Sequence, residues 1–226
     1  MVSSNGQWGV IFDMDGVLVD SGWAHRQAWF DLAAAEGLEM SDEFFRRTFG
    51  MQNDTILPML RPDISPAELE RLSDWKEHRY RELVHSRPKA AEGVLALLGD
   101  LKARGFRLAI GSSAPRANLD VFWGPLGLGD YFEAAVTKEQ VVEGKPAPET
   151  FLKAAATLSL APERCVVVED AVHGVQAAKA AGMRAVAVTT TRSRRELFQA
   201  DRVVDSLAEL NADDFAALLN PDRGPA

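Results

Sequence analysis

The chain holds a single cysteine, Cys165. That excludes a disulfide framework and any zinc site built on cysteine pairs. Cys165 opens the run CVVVED with no histidine or basic group marking it, so it reads as a core residue, not a reactive thiol. Positive charge is also scarce: 25 Lys and Arg against 33 Asp and Glu leave a net charge of −8. This balance argues against a nucleic-acid binder or an anionic-membrane binder. It leaves open a small anionic substrate, which feels only the local field. No apolar run approaches a membrane span. The opening MVSSNGQWGV lacks the basic start and long apolar stretch of a secretion signal, so the expectation is a cytoplasmic protein. Of the four histidines, His78, His85 and His173 show no metal-ligand spacing and read as surface residues. There is no internal repeat and no low-complexity segment, and the tail NPDRGPA reads as frayed.

What is present is an alternation. Apolar runs at Trp8–Phe12, Phe106–Ser112, Phe132–Val136, Cys165–Glu169 and Arg184–Val188, with a weaker one at Arg202–Val204, read as strands. Most are continuous rather than alternating, as expected when both faces of a parallel sheet are covered. Between them lie helical patterns. EGVLALLGDLKARG puts Val94, Leu97, Leu98 and Leu101 on one face and stops at Gly105, and AVHGVQAAKAAG stops likewise at Gly182. The pattern predicts a doubly wound, Rossmann-like parallel α/β core. From Ser21 to about Pro88 the alternation fails and only helical patterns appear. One covers Trp23–Glu36. Another opens at the capping box SPAE, Ser65–Glu68, and continues through Leu69, Leu72, Trp75, Tyr80 and Leu83. The expected organisation is a core of residues 1–20 and 89–226 with a helical cap, 21–88, inserted through linkers near Asp20–Gly22 and Ser86–Glu92.

Ligands of open α/β sheets bind beyond the carboxyl ends of the strands. There the sequence offers Asp13-Met14-Asp15-Gly16 after the first strand and Gly111-Ser112-Ser113 after the second. Lys145 of EGKPAPE follows the third, and Glu169-Asp170 ends the fourth. Two acids two places apart repel unless something positive or some chemistry accounts for them. Acid clusters suit Mg²⁺, a hard cation that prefers oxygen ligands. Hydroxyls, a lysine and free backbone N–H groups suit a phosphoryl group. A carboxylate ionised at neutral pH is a competent nucleophile toward phosphorus, and a neighbouring acid can protonate the leaving oxygen and later activate water. Taken singly, each feature has a bland reading: a DxD turn, a surface lysine, an Asp170 helix cap. Their joint order and placement favour phosphoryl transfer.

DMDGVLVDS, GSS, GKPAPE and VVVEDAVHGVQAAKAAGM resemble, in order, the four motifs of the haloacid dehalogenase superfamily. They most resemble its branch with a helical cap after the first motif, which includes sugar-phosphate phosphatases and β-phosphoglucomutases. The similarity runs from about Val10 to Leu210. It implies Asp13 as nucleophile and Asp15 as general acid/base, with Ser112 and Lys145 holding the phosphoryl oxygens. It implies Mg²⁺ held by Asp13, Asp170, Glu169 and Asp15, the last through its backbone carbonyl. An aspartate at position 15 favours phosphate esters over haloacids.

The resemblance also singles out His25, followed four places later by Trp29, as in β-phosphoglucomutases, where the histidine couples cap closure to positioning of the acid. That subgroup carries an arginine shortly after a cap-loop glycine. Here the stretch is FGMQND, with Gly50 present and Asn53 where the arginine would be. Lys76 sits where mutases carry a cap lysine. Ser113, Ala114 and Arg116 follow the second motif, where mutases contact substrate. The implied activity is a Mg²⁺-dependent phosphatase acting on a small phosphorylated metabolite, in particular a sugar phosphate, with no nucleic-acid or membrane partner and a monomeric state. The alternative is a β-phosphoglucomutase. A non-catalytic binding module would lack one of the catalytic acids, and all are present.

Overall fold

The computed structural model describes residues 8–85 and 88–220. The first two residues of the expected second linker, Ser86 and Arg87, together with the first seven residues and the tail after Asn220, lie outside the described residues.

Six parallel strands form one sheet: β1 (Gly9–Phe12), β2 (Arg107–Gly111), β3 (Ala134–Val136), β4 (Cys165–Glu169), β5 (Arg184–Val188) and β6 (Arg202–Val204), in the spatial order β3-β2-β1-β4-β5-β6. The chain builds outward from β1 on one side, then returns to place β4 on the other. That reversal makes the gap between β1 and β4 the switch point of the sheet. Successive side chains alternate faces. Val10, Phe12, Leu108, Ile110, Val166 and Val168 therefore face one apolar cluster, into which α5 (Val94–Ala103), α6 (Arg116–Trp123) and α9 (Ala212–Leu219) pack. Ile11, Ala109, Val167, Ala185 and Ala187 face the other, covered by α7 (Glu149–Thr157) and α8 (Val172–Ala180). This double coverage is why the strands read as unbroken apolar runs. Cys165 lies fully buried among them, and burial pushes its thiol up to about 12, with the charge of Glu163 adding to the effect.

Between β1 and β2 the chain forms α1 (Gly22–Glu36), α2 (Asp42–Thr48), α3 (Asn53–Leu60) and α4 (Pro66–His85), with no strand among them. α4 begins as its sequence predicts, with the Ser65 hydroxyl accepting from the Glu68 N–H at 3.3 Å. This helical block has its own apolar centre of Trp29, Leu32, Ile56, Leu57 and Leu72. Its two connections to the sheet lie side by side. Val19 and Ala90 form an antiparallel bridge, the Asp20 N–H donates to the Lys89 carbonyl, and the Ala91 N–H donates to the Leu18 carbonyl. No described helix is long and apolar enough to cross a membrane.

Candidate active site

Strand register assembles the site. Phe12 lies opposite Ile110 on β2 and Val168 on β4, so the residues one step beyond (Asp13, Gly111 and Glu169) emerge together at the carboxyl edge. The Asp13 N–H donates to the Val168 carbonyl at 2.9 Å, carrying the ladder up to the acid itself. After Asp13 the backbone winds into a tight turn in which the N–H groups of Val17, Leu18 and Val19 all donate to the Met14 carbonyl. Gly16 sits in this turn at φ +82°, a left-handed conformation that disfavours any side chain, and a Cβ there would collide with the Asp170 carboxylate.

Asp13, Glu169 and Asp170 bring one carboxylate oxygen each within 4.8 Å of one another, all buried. Lys145 Nζ donates to Asp13 Oδ1 at 2.5 Å and to Glu169 Oε1 at 2.7 Å. Burial would lower the Lys145 pKa, but these two carboxylates outweigh it and raise it. One ammonium faces three carboxylates, so the cluster retains an excess of negative charge. Burial pushes the Asp13 carboxyl up to about 7; Lys145 pulls it down, and Glu169 and Asp15 push it further up. Burial, Glu169 and Asp13 likewise raise Asp170 well above the ordinary carboxylate range. An all-oxygen cluster with surplus negative charge suits a divalent hard cation. The donors are not equivalent. Glu169 already accepts from Lys145 through one oxygen and from the Asp170 and Ala171 N–H groups through the other. Its geometry is that of a brace for the loop more than of a free ligand. Asp170 does not cap α8: it turns toward the Thr191 and Thr190 hydroxyls, which donate to its Oδ2 at 2.6 and 3.3 Å.

The Asp15 carboxylate stands apart from this cluster, in keeping with the expectation that only its backbone carbonyl is offered to a metal. It turns instead toward the helical block. Asp15 Oδ1 accepts from the Ser21 hydroxyl at 2.6 Å and the Tyr80 hydroxyl at 2.7 Å. His25 Nε2 lies 3.0 Å away, at ion-pairing distance but out of line for a hydrogen bond. Burial would raise the Asp15 pKa, but the charge of His25 and these donors prevail and lower it to about 2. The network continues. Lys76 Nζ lies 2.8 Å from His25 Nδ1 and donates to Glu77 Oε1 at 2.8 Å. Glu77 also accepts from Asn53 at 2.8 Å and from Asn118 of α6 at 2.6 Å. A buried polar chain thus runs from Asp15, through α1 and α4, back to the sheet domain.

A small cavity of about 50 Å³ opens between these groups. The expected residues His25, Gly50, Asn53, Lys76, Ser112, Ser113 and Ala114 line it, together with Asp13, Asp15, Glu169 and Asp170. The Ser112 hydroxyl accepts from the Ala114 N–H at 3.1 Å. The buried Ser113 hydroxyl has no protein partner among the described residues. Arg116 does not line the cavity: it pairs with Asp120 at 2.8 Å and stacks over Trp123 on the outer side of α6. Arg79 is tied to Asp31 and Glu82 and does not line the cavity. His173, expected at the surface, is half-buried, with Nε2 3.3 Å from the Arg47 carbonyl oxygen. Residues not singled out from sequence complete the site: Ser21, Tyr80, Glu77, Thr190 and Thr191. The threonines had a visible signal, since they follow β5 at the same edge as the other groups.

A family model described as haloacid dehalogenase-like hydrolase matches residues 10–188. Among curated relatives, the chain is 32% identical over 220 residues to an Arabidopsis thaliana chloroplastic phosphatase of 5-amino-6-(5-phospho-D-ribitylamino)uracil, spanning 96% of this chain but 59% of that protein. It is 35% identical over 186 residues to the Escherichia coli fructose-1-phosphate phosphatase YqaB, covering 80% of this chain and 95% of the relative. Among solved structures, a β-phosphoglucomutase from Clostridium difficile superposes with a TM-score of 0.86 at 26% identity, over 96% of this chain and 99% of the other.

Proposed function

Because this chain belongs to the haloacid dehalogenase-like hydrolase family, we propose that it is a Mg²⁺-dependent phosphatase that cleaves a small phosphorylated metabolite, a sugar monophosphate by preference, through an aspartyl-phosphate on Asp13. The observation that carries this is the convergence of Asp13, Asp15, Ser112 and Asp170 on one buried cavity, with Lys145 bridging Asp13 and Glu169 behind it. Asp13 and Asp170 would hold the Mg²⁺, with the Asp15 backbone carbonyl beside them. The bound ion would supply positive charge that keeps Asp13 ionised and withdraws charge from the phosphoryl group.

The remaining steps belong to the chain. An Asp13 oxygen forms a bond to phosphorus as the bond from phosphorus to the ester oxygen breaks, and Asp15 gives that oxygen a proton. Water then attacks the same phosphorus, its proton passes to Asp15, and the Asp13–phosphorus bond breaks to release phosphate. Asp15 in the arrangement described is in its ionised form. That form serves the second half-reaction, and the acid must load a proton before the first. Lys145 and Ser112 steady the phosphoryl oxygens. The helical block, residues 21–88, acts as a cap over the core of residues 1–20 and 89–226, and it excludes water and selects the substrate.

Hydrolysis is favoured over the mutase reading by the state of Lys76. A mutase must hold a second phosphate against its cap. Lys76 is the one Lys or Arg among the described residues lining this cavity, and Glu77 already neutralises it at 2.8 Å. Asn53, where the mutase arginine would stand, donates to the same carboxylate. Polar but nearly neutral groups of this kind suit the hydroxyls of a sugar better than a second phosphate. The test is a screen of phosphorylated metabolites, including sugar monophosphates and bisphosphates, with Mg²⁺ and with Asp13→Asn as control. Phosphate release from monophosphates, absent in Asp13→Asn, is expected. Conversion of β-glucose 1-phosphate to glucose 6-phosphate without free phosphate would overturn the reading in favour of a mutase.

A further inference from the structure

A second and larger cavity, of about 470 Å³, lies on the other side of Phe45 and Phe49 from the catalytic one. Three parts of the chain meet in it. The helical block contributes Trp23, Phe45 and Arg46, the two linkers contribute Gly22 and Lys89, and the loop after β5 contributes Thr190 to Arg192. Its volume is that of a small-molecule site. Its walls are aromatic: Trp23 is 49% exposed, unusual for a tryptophan with no partner covering it, and Phe45 and Phe49 close the back.

Its charges separate into spent and unspent. Arg26 is paired with Asp42, Lys89 with Asp20, and Asp205 with Arg194. Two guanidiniums are left. Neither Arg46 nor Arg192 forms an ion pair among the described residues, although the whole chain carries −8. Arg192 is buried, and its one protein hydrogen bond, from Nη1, goes to the Thr191 carbonyl at 3.0 Å. Burial lowers its pKa, the charges of Asp170, Glu196 and Glu169 partly oppose this from outside the cavity lining, and the charge of Arg46 adds to the lowering, so the two cations feel one another across the cavity. Of the acids that line the cavity, the one left over, Glu92, is exposed to water. A buried guanidinium with most of its donors unused, facing a second cation, is costly unless an anion joins them.

We propose that this hinge cavity binds a small aromatic dianion, a phosphorylated aryl or heteroaryl compound, with its ring against Trp23 and Phe45 and its oxyanion between Arg46 and Arg192. The ligand touches the helical block, both linkers and the sheet domain at once, so its binding favours the arrangement in which these are closed on one another. It also reaches the metal-binding cluster at one remove, because Thr191, next to Arg192, donates to Asp170.

The probe is p-nitrophenylphosphonate, an aromatic dianion whose carbon–phosphorus bond is not a phosphate ester and whose nitro group quenches tryptophan. Titration of the full-length chain is followed by tryptophan fluorescence. The two cavities carry different reporters, Trp23 in the hinge cavity and Trp29 in the catalytic one. Saturable quenching is expected, abolished in Trp23→Phe and shifted to about tenfold or more weaker affinity in Arg46→Gln, the loss of one charge-assisted contact. Arg192→Gln should show the same shift. Arg46 is exposed, so its variant remains informative even if the buried change impairs folding. Three results would overturn the proposal: no saturation in the millimolar range, quenching that survives Trp23→Phe, or an Arg46→Gln titration that overlays the wild type.

Discussion

Glu77 provides the sharpest energetic test of how the helical block is held to the sheet domain. Glu77 is 7% exposed, and its carboxylate accepts from Lys76, Asn53 and Asn118. Burial opposes its ionisation, yet the charges of Lys76 and His25 and the surrounding donors lower its pKa from 4.5 to about 2. A folded value below the unfolded one means that ionised Glu77 stabilises the protein fully above pH 4.5, and that this contribution drains away as pH falls toward 2. The depression corresponds to about 3 kcal/mol at pH 7 and to roughly 1 kcal/mol at pH 3. Glu77→Gln has the shape of the protonated side chain and cannot ionise. It also presents an amide donor to neighbours that are themselves donors, and it leaves the buried Lys76 without its carboxylate. Urea denaturation of both proteins should therefore give a loss of about 3 kcal/mol for the variant at pH 7, shrinking to roughly 1 kcal/mol at pH 3. Other groups that titrate over this range are common to both proteins and cancel in the difference. A loss that is the same at both pH values, or no loss at pH 7, would refute the view that an ionised Glu77 links α4 to α6.

Three further outcomes are expected. Thr191→Val removes the hydroxyl that orients Asp170 and should raise the Mg²⁺ concentration for half-maximal phosphate release about tenfold or more, with little change in thermal stability. Gly16→Ala forces a side chain into a left-handed turn and against the Asp170 carboxylate, and should cost about 1–3 kcal/mol in a urea melt together with the metal-dependent activity. Asp13→Asn should abolish phosphate release while leaving the far-ultraviolet circular dichroism unchanged, because the amide oxygen still accepts from Lys145.

The sheet was legible because its physics is local. Cys165–Glu169, Arg184–Val188 and Arg202–Val204 are strands at the expected bounds, and the others are shorter by a residue or two where pairing ends before the apolar run does. The acids at the strand ends were legible for the same reason: a buried run that halts at carboxylates is a signal contained in a few neighbouring residues. What escaped was made by distance. Tyr80 read as one more apolar position on an amphipathic helix, yet its hydroxyl meets Asp15, 65 residues away. The pattern on α4 put Trp75 on the inner stripe, but Trp75 is 38% exposed, while Ser73, Lys76 and Glu77 are buried beside Leu72 and Tyr80. A helix face turned toward a reaction cavity buries polar groups, and hydropathy periodicity cannot distinguish that face from a solvated one. Arg116 erred in the opposite direction. Its place after the second motif suggested the cavity, but the first turn of α6 points it outward to Asp120.

The bridge between Val19 and Ala90 bears on how such proteins diversify. Entry and exit of the helical block are clamped together, so the chain passes between sheet and block at a single seam. Chain beyond that seam can be lengthened or rebuilt without altering strand register, provided it still returns partners to Asp15. A graft that keeps Leu18–Asp20 paired with Lys89–Ala91 joins a new helical block to an intact sheet, whereas one that unpairs them sets both halves adrift.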